Sequence, residues 1–335
     1  MEGWIRRAWQ GEAGPLGQVA LGLLAPAELA WRGVTALRNR HWDREGGERV
    51  GGIRVVSVGN LAVGGTGKTP VARWLVALLR ARGAVPAVVA RGYGRDELLL
   101  HRRWHPDVPV VADADRVRGV ATAQARGADV AVLDDGFQHR RLARDLDVVL
   151  LAAEDPLGGP LLPRGPFREP LRALRRADAL VVTRRTASAE AAVEQADALR
   201  ARFPQARVAR VALRPGGWAT LEGAQADAPQ GDVLVATAVA RPEAVRAMVS
   251  AARGGGGVPE LAPFPDHHDF TAADVRALRR QAGTRTLVVT EKDAVKLEAH
   301  AELLGPSRVL TLELDWEEGD EPLRDLLTRA TPENA

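Results

Sequence analysis

Lys68 and Thr69 follow Gly64, Gly65 and Gly67 within residues 57–70 (SVGNLAVGGTGKTP). Backbone N–H groups of such a glycine-rich turn face inward. A helix starting at its end adds a positive pole, so a polyphosphate is the natural occupant. Residues Gly64, Gly65, Thr66, Gly67, Lys68 and Thr69 are therefore the candidate nucleotide cradle, with Lys68 reaching the β and γ phosphates and the Thr69 hydroxyl on Mg2+. Ala62 stands where the strict G-x-x-x-x-G-K-[ST] pattern has its first glycine, so Gly64 and Gly65 are expected to absorb the tight turn. Asp134 and Asp135 end an apolar run (DVAVLDD, residues 129–135) as the acids of a Walker-B strand do, where they would hold or orient Mg2+. Arg168, in the proline-rich stretch 161–171, is a candidate to neutralise phosphate charge in a transition state. His267 and His268 lie between Asp266 and Asp269 in FPDHHDF (residues 264–270). A metal site there lacks a third and fourth ligand at recognisable spacing, and a histidine bonded to a carboxylate for proton transfer suits a kinase better. The plainer alternatives are a chance Gly-Lys-Thr, a solvated acid pair and a surface arginine.

Composition narrows the classes. The chain has 335 residues, 46% of them hydrophobic, which is enough for two cores. A net charge of +3 is too small to argue nucleic-acid binding, and no obligate protein partner is implied. The absence of cysteine excludes disulfides, thiolate metal sites and a cysteine nucleophile. Of the 46 basic residues only Lys68, Lys292 and Lys296 are lysines. Where a compact ammonium must approach a phosphate, arginine does not replace it.

The elements that must carry these residues are those of an α/β fold. Residues 55–58 are β-branched or small, and the apolar period changes from two to that of a helix across the glycines. Further strands are expected at 86–90, 108–112, 129–135, 147–152, 178–183 and 206–213, with helices at 115–126 and 187–202. This alternation means a parallel sheet flanked by helices, like that of P-loop NTPases. Residues 91–95 (RGYGR) suit an anion-facing loop at a strand's carboxyl end. Residues 215–232, rich in glycine and proline, read as a linker to a second, smaller α/β domain at 233–330, the kinase core being 51–214. Residues 1–50 form an N-terminal segment. Its apolar run 19–27 is too short to span a bilayer, and residues 16–40 read as a broken amphipathic helix with a basic face. Such a helix lies on a membrane surface or packs on the protein's own core.

Together the motifs resemble the tetraacyldisaccharide 4′-kinase family, the lipid A 4′-kinases. The matching pieces are SVGNLAVGGTGKTP, RGYGR, LDDGFQHRRL (133–142), LPRGPFREPL (162–171), RADALVVTR (176–184), FPDHHDF and TEKDAVKL (290–297), in family order. The resemblance implies an ATP- and Mg2+-dependent kinase that phosphorylates the 4′-hydroxyl of a tetraacylated glucosamine disaccharide 1-phosphate. It also implies a peripheral enzyme at the cytoplasmic face of the inner membrane, whose hydrophobic and basic N-terminal helix gathers the lipid. The family pairs an acid of a Gly-Asp-Glu-Pro segment with the histidine of Phe-Pro-Asp-His as the base. Here that segment is shortened and fused to RGYGR as Arg95-Asp96-Glu97-Leu98 without the proline, so Asp96 aligns with the base and His267 with its partner. Domain closure on ATP is then expected to assemble the site. Two rivals remain at this stage. A P-loop switch or metallochaperone NTPase would hydrolyse without a sugar acceptor, and a soluble small-molecule kinase would use the N-terminal segment only for packing.

Overall fold

The computed structural model describes residues 2–9, 11–92 and 94–328. Tyr93 of RGYGR, the end of the expected C-terminal domain at 329–330 and the polar tail 331–335 lie outside the described residues, as does the Arg6 side chain. In chain order, helices α1 (Glu2–Trp9), α2 (Gly14–Leu23) and α3 (Ala25–Glu45) precede strand β1 (Arg54–Asn60) and helix α4 (Lys68–Ala81). Strands and helices then alternate as β2 (Pro86–Ala90), α5 (Arg95–Trp104), β3 (Val110–Ala112), α6 (Arg116–Ala125) and β4 (Val130–Asp134). Next come β5 (Leu146–Ala152), a 3-10 turn (Leu171–Arg176), β6 (Ala179–Arg184), α7 (Ala189–Arg202) and the long strand β7 (Arg207–Ala219). The remainder is β8 (Gln225–Ala226), β9 (Val233–Thr237), α8 (Pro242–Arg253), β10 (Glu260–Pro263), α9 (Ala272–Ala282) and β11 (Thr286–Thr290). It ends with α10 (Glu291–Leu297), a 3-10 turn (Glu298–His300), α11 (Ala301–Leu304), β12 (Ser307–Glu318) and α12 (Asp320–Thr328).

The chain divides into two compact units. The first comprises Met1–Arg91, Val111–Val211 and Trp316–Ala335, the second Gly92–Val110 and Ala212–Asp315. In the first unit the strands run in the order β6-β5-β1-β4-β2 and pair in parallel. Apart from Arg54 and Arg184 at strand ends they are buried, as strands covered by helices on both faces must be. One core lies under α6 (Val55, Val89, Leu133) and another under α7 (Phe137, Leu180, Leu199). Because β1 lies between β4 and β5, its carboxyl end faces the point where connections leave in opposite directions, the usual ligand crevice of an open α/β sheet. In the second unit the order is β10-β9-β11-β12, again parallel, with cores on both faces.

The unit boundaries correct the expected ones in three places. Residues 215–219 are not linker but the end of β7, which pairs with β8. Gly216 lets β7 lie close to its neighbour, since a Cβ there would lie 3.2 Å from Thr311 Oγ1 and 3.3 Å from Glu313 N, and Trp218 is buried in a core of the second unit. Residues 92–110, expected in the kinase core, belong to the second unit. There Trp104 donates to Glu291 Oε1 at 2.9 Å, and Arg103 pairs with Glu298 at 2.7 Å. Residues from Trp316 onward return to the first unit, where Trp316 packs on Trp74 with ring centroids 4.6 Å apart and Arg82 donates to Arg324 O at 2.6 Å.

The N-terminal helices are amphipathic in the reverse of the usual sense. The polar stripe of α3 faces the protein: Glu28 accepts from Leu161 N (2.9 Å), Trp31 Nε1 donates to Arg168 O (3.0 Å), and Asn39 Nδ2 donates to Glu169 Oε2 (2.8 Å). Leu16, Val19, Leu23, Leu29, Val34 and Leu37 are left exposed. The alternative in which this apolar side packs on the protein's own core is therefore not what the fold does.

Candidate active site

The phosphate loop occupies residues 61–67, between the carboxyl end of β1 and α4. The turn is made by Gly64 (φ 137°) and Gly67 (φ 88°), conformations open to glycine at little cost. Gly65, expected to share the turn, keeps an ordinary φ. Ala62 needs no left-handed φ either and forms a bridge with Phe167, which explains why alanine serves there. Side chains tie the loop from behind. Asn60 Nδ2 donates to Thr66 Oγ1 (3.0 Å), Thr183 Oγ1 to Thr66 O (2.9 Å) and Arg185 Nη1 to Gly65 O (2.7 Å). Segment 161–168 runs alongside, with Val63 N on Pro166 O (2.8 Å) and Arg168 N on Leu61 O (2.7 Å). Lys68 and Thr69 open α4, whose first-turn N–H groups are those a helix leaves without carbonyl partners of its own.

Asp134 is buried at the end of β4, in register with Val58 of β1, the strand that leads into the loop. Asp135 adopts φ 63°, rare for a non-glycine residue and a mark of constraint at functional sites. Its carboxylate receives Arg168 Nη1 on both oxygens at 2.9 Å and has Lys68 Nζ 3.7 Å away. Burial opposes the Asp135 charge, but Lys68 and then Arg168 outweigh it and hold the carboxyl below its usual range. Gln138 links the parts, accepting from Arg168 (3.2 Å) and donating to Asn60 O (2.8 Å). Arg116, at the start of α6, was not marked by the sequence among so many arginines. It is buried, which lowers its pKa, and it faces Asp135 and Asp134, which raise it. Thus Lys68, Thr69, Asp134, Asp135 and Arg168 belong to one unit, where Lys68, Asp135 and Arg168 are in direct contact.

The second unit holds Asp96 and His267. Asp96 is the second residue of α5, and His267 lies in the loop after β10 with φ 61°, its N–H bonded to Ala238 O at 3.1 Å. His267 Nδ1 is 3.0 Å from Asp96 Oδ2 and 3.1 Å from Oδ1. Gly94 makes the meeting possible. Its φ is +83°, and a Cβ there would lie 2.7 Å from His267 Nδ1 and 2.8 Å from Asp96 Oδ1. Asp96 is 1% exposed, the His267 side chain 27%. Two lysines one helical turn apart on α10 complete the cluster. Lys292 Nζ is 3.5 Å from Asp96 Oδ2 and 3.5 Å from His267 Nε2, and Lys296 Nζ is 3.7 Å from Asp96 Oδ2. Burial disfavours the Asp96 charge, yet the His267 hydrogen bond and the lysines hold its carboxyl far below the usual range. The bond to Asp96 raises the His267 pKa against burial and Lys292. These lysines had a signal in the sequence, their rarity, but no spacing rule tied them to Asp96. His268 points elsewhere, with Nε2 3.1 Å from Asp274, which closes the capping box of α9, and its ring packs against Phe264 and Phe270.

The family model described as tetraacyldisaccharide-1-P 4'-kinase matches residues 20–98 and 96–331, two stretches that overlap at residues 96–98. The tetraacyldisaccharide 4'-kinase of Anaeromyxobacter sp. (strain K) is 40% identical, covering 92% of this chain and 90% of its own length. That of Syntrophus aciditrophicus is 37% identical, covering 87% and 88%. The crystal structure of LpxK from Aquifex aeolicus in complex with ATP aligns with a TM-score of 0.73 at 26% identity, over 93% of this chain and all of that one. By this family match and these identities, the chain belongs to the tetraacyldisaccharide-1-P 4'-kinase family.

Proposed function

We propose that this chain transfers the γ-phosphate of ATP to the 4′-hydroxyl of a tetraacylated glucosamine disaccharide 1-phosphate, a step of lipid A biosynthesis. The observation that carries the reading is the pairing of Asp96 with His267 across Gly94, in a chain that also holds a tied phosphate loop. A hydrolase or switch needs the loop but has no use for a base dedicated to an alcohol.

Phosphoryl transfer asks mostly for positioning and charge. The loop amides and Lys68 hold the β and γ phosphates, and Arg168, hydrogen-bonded to Asp135, offsets charge on the transferred group. The acceptor hydroxyl gives its proton to the Asp96–His267 pair as its oxygen bonds to the γ phosphorus, and the bond to the bridging oxygen breaks to leave ADP. Asp96 is the acceptor in this scheme and His267 orients it. Thr69, Asp134 and Asp135 would hold Mg2+. The residues fit it: Mg2+ takes one or two carboxylates with phosphates and waters, and Asp134 is buried beside the strand that enters the loop. When bound, Mg2+ supplies charge neutralisation of the phosphate oxygens.

Among the described residues no helix is long and apolar enough to cross a membrane. The exposed leucines and valines of α2 and α3 support a peripheral position on the cytoplasmic face of the inner membrane, where lipid acceptor and ATP meet. The test uses γ-labelled ATP, Mg2+ and acylated disaccharide 1-phosphate in mixed micelles. Label is expected in the lipid, and release of free phosphate with no labelled lipid would refute the proposal.

A further inference from the structure

Between α3 and the 3-10 turn Leu171–Arg176 lies a cavity of about 680 Å³, within the first unit and separate from the phosphate loop. Its lining includes Arg32, Arg40, Arg172, Arg175 and Arg176, with Asp43 as the one acid. Three of these charges are already answered: Arg32 pairs with Glu28 (2.7 Å), Arg176 with Glu169 (3.1 Å), and Asp43 with Arg140 (2.8 Å). Arg40, Arg172 and Arg175 have no carboxylate partner among the described residues. Like charges gathered around one concavity repel one another, and an anion placed among them removes that cost while accepting several charge-assisted hydrogen bonds.

We propose that this cavity receives the 1-phosphate of the acylated disaccharide, an inference that rests on the lipid-kinase reading above. Three observations select that occupant. The volume exceeds what a bare phosphate needs and suits a sugar phosphate. The same helix that supplies Arg32 and Arg40 exposes Leu29, Val34 and Leu37, so the cationic cavity adjoins an apolar ridge, the two surfaces that complement the phosphate and acyl chains of a phosphorylated glycolipid. One short segment carries Arg168 against Asp135 and, four and seven residues later, Arg172 and Arg175 into the cavity. A bilayer phospholipid would be served by a flat basic face, whereas here two walls far apart in sequence enclose the group.

The test compares two acceptors in mixed micelles: the acylated disaccharide 1-phosphate and the same lipid with the 1-phosphate removed. The wild type is expected to prefer the phosphorylated acceptor. Arg172→Ala/Arg175→Ala should lower the ratio of the two kcat/KM values at least about tenfold, the effect of losing one or two charge-assisted bonds. Arg172→Lys/Arg175→Lys should retain part of the preference. Both arginines are exposed, so the thermal midpoint should stay at its wild-type value. Binding to phosphatidylcholine/phosphatidylglycerol vesicles should also be the same in variant and wild type. An unchanged ratio, or a loss of vesicle binding that matches the loss of turnover, overturns the assignment and points to the bilayer instead. A wild type that labels neither acceptor while binding ATP overturns the kinase reading itself, a pattern distinct from failure of the cavity alone.

Discussion

Replacing Lys296 with methionine removes one charge from the centre of the Asp96 cluster while keeping the length of the side chain. Lys296 is 4% exposed, with Nζ 3.7 Å from Asp96 Oδ2, 3.7 Å from Asp293 Oδ1 and bonded to His268 O at 2.8 Å. At an effective dielectric constant of about 20, unit charges at that separation attract by roughly 4.5 kcal/mol. Two effects reduce the net cost. The lysine's own burial penalty disappears, and the acids keep other partners: His267 and Lys292 at Asp96, and Thr237, Ala238 and Thr290 at Asp293. Removing one partner of a buried pair costs about 3–5 kcal/mol, and the surviving partners place this case near the lower end. Lys296→Met is therefore expected to destabilise the chain by about 3 kcal/mol at pH 7, read from urea unfolding followed by tryptophan fluorescence. In a double-mutant cycle with Asp96→Asn, part of that loss should vanish, with a coupling of about 1–3 kcal/mol. A variant within about 0.5 kcal/mol of wild type, or a coupling of zero, would refute the view that Lys296 compensates the Asp96 charge.

Three further outcomes are expected. Asp96→Ala and His267→Ala should each lower kcat by about a hundredfold or more, with ATP affinity within about twofold; turnover within about threefold of wild type in both would remove the pair from the chemistry. The stabilisation that ionised Asp96 contributes is present above the ordinary carboxyl pKa of about 3.9 and is lost as pH falls through its lowered folded value, while that of charged His267 is present below about 6.5 and is lost as pH rises through its raised value. The difference in unfolding free energy between wild type and Asp96→Asn should thus be largest between about pH 4.5 and 6.5 and shrink on both sides, and a difference that grows toward alkaline pH would contradict the sign. Leu29→Ser/Leu37→Ser, at exposed positions, should weaken binding to anionic vesicles at least about tenfold, since burying each leucine is worth about 1.5–3 kcal/mol; unchanged co-sedimentation would deny α3 a membrane role.

Local features of the chain were legible before any coordinates. The change of period across Gly64–Gly67 located the loop and the helix that follows it, and short apolar runs located β2, β4, β5 and β6 within a residue or two. The linker was misread because glycine and proline signal flexibility only when nothing packs on them, and here Gly216 and Trp218 sit inside a paired strand.

What the sequence by itself determined, then, is what depends on neighbours along the chain: the strand, turn and helix of the phosphate loop, the acids ending β4, and a broken N-terminal helical segment, whose break the structure places at Leu24. What only the tertiary structure decided depends on residues far apart in the chain. Arg168 meets Asp135, Lys292 and Lys296 surround Asp96, and α3 turns its polar stripe inward because Glu28, Trp31 and Asn39 find partners on the segment 161–169. Charge and hydrogen bonding act over a few ångströms of space, so the sequence could nominate Arg168 from its stretch but not say that it meets Asp135, nor that Arg116 faces the same acids.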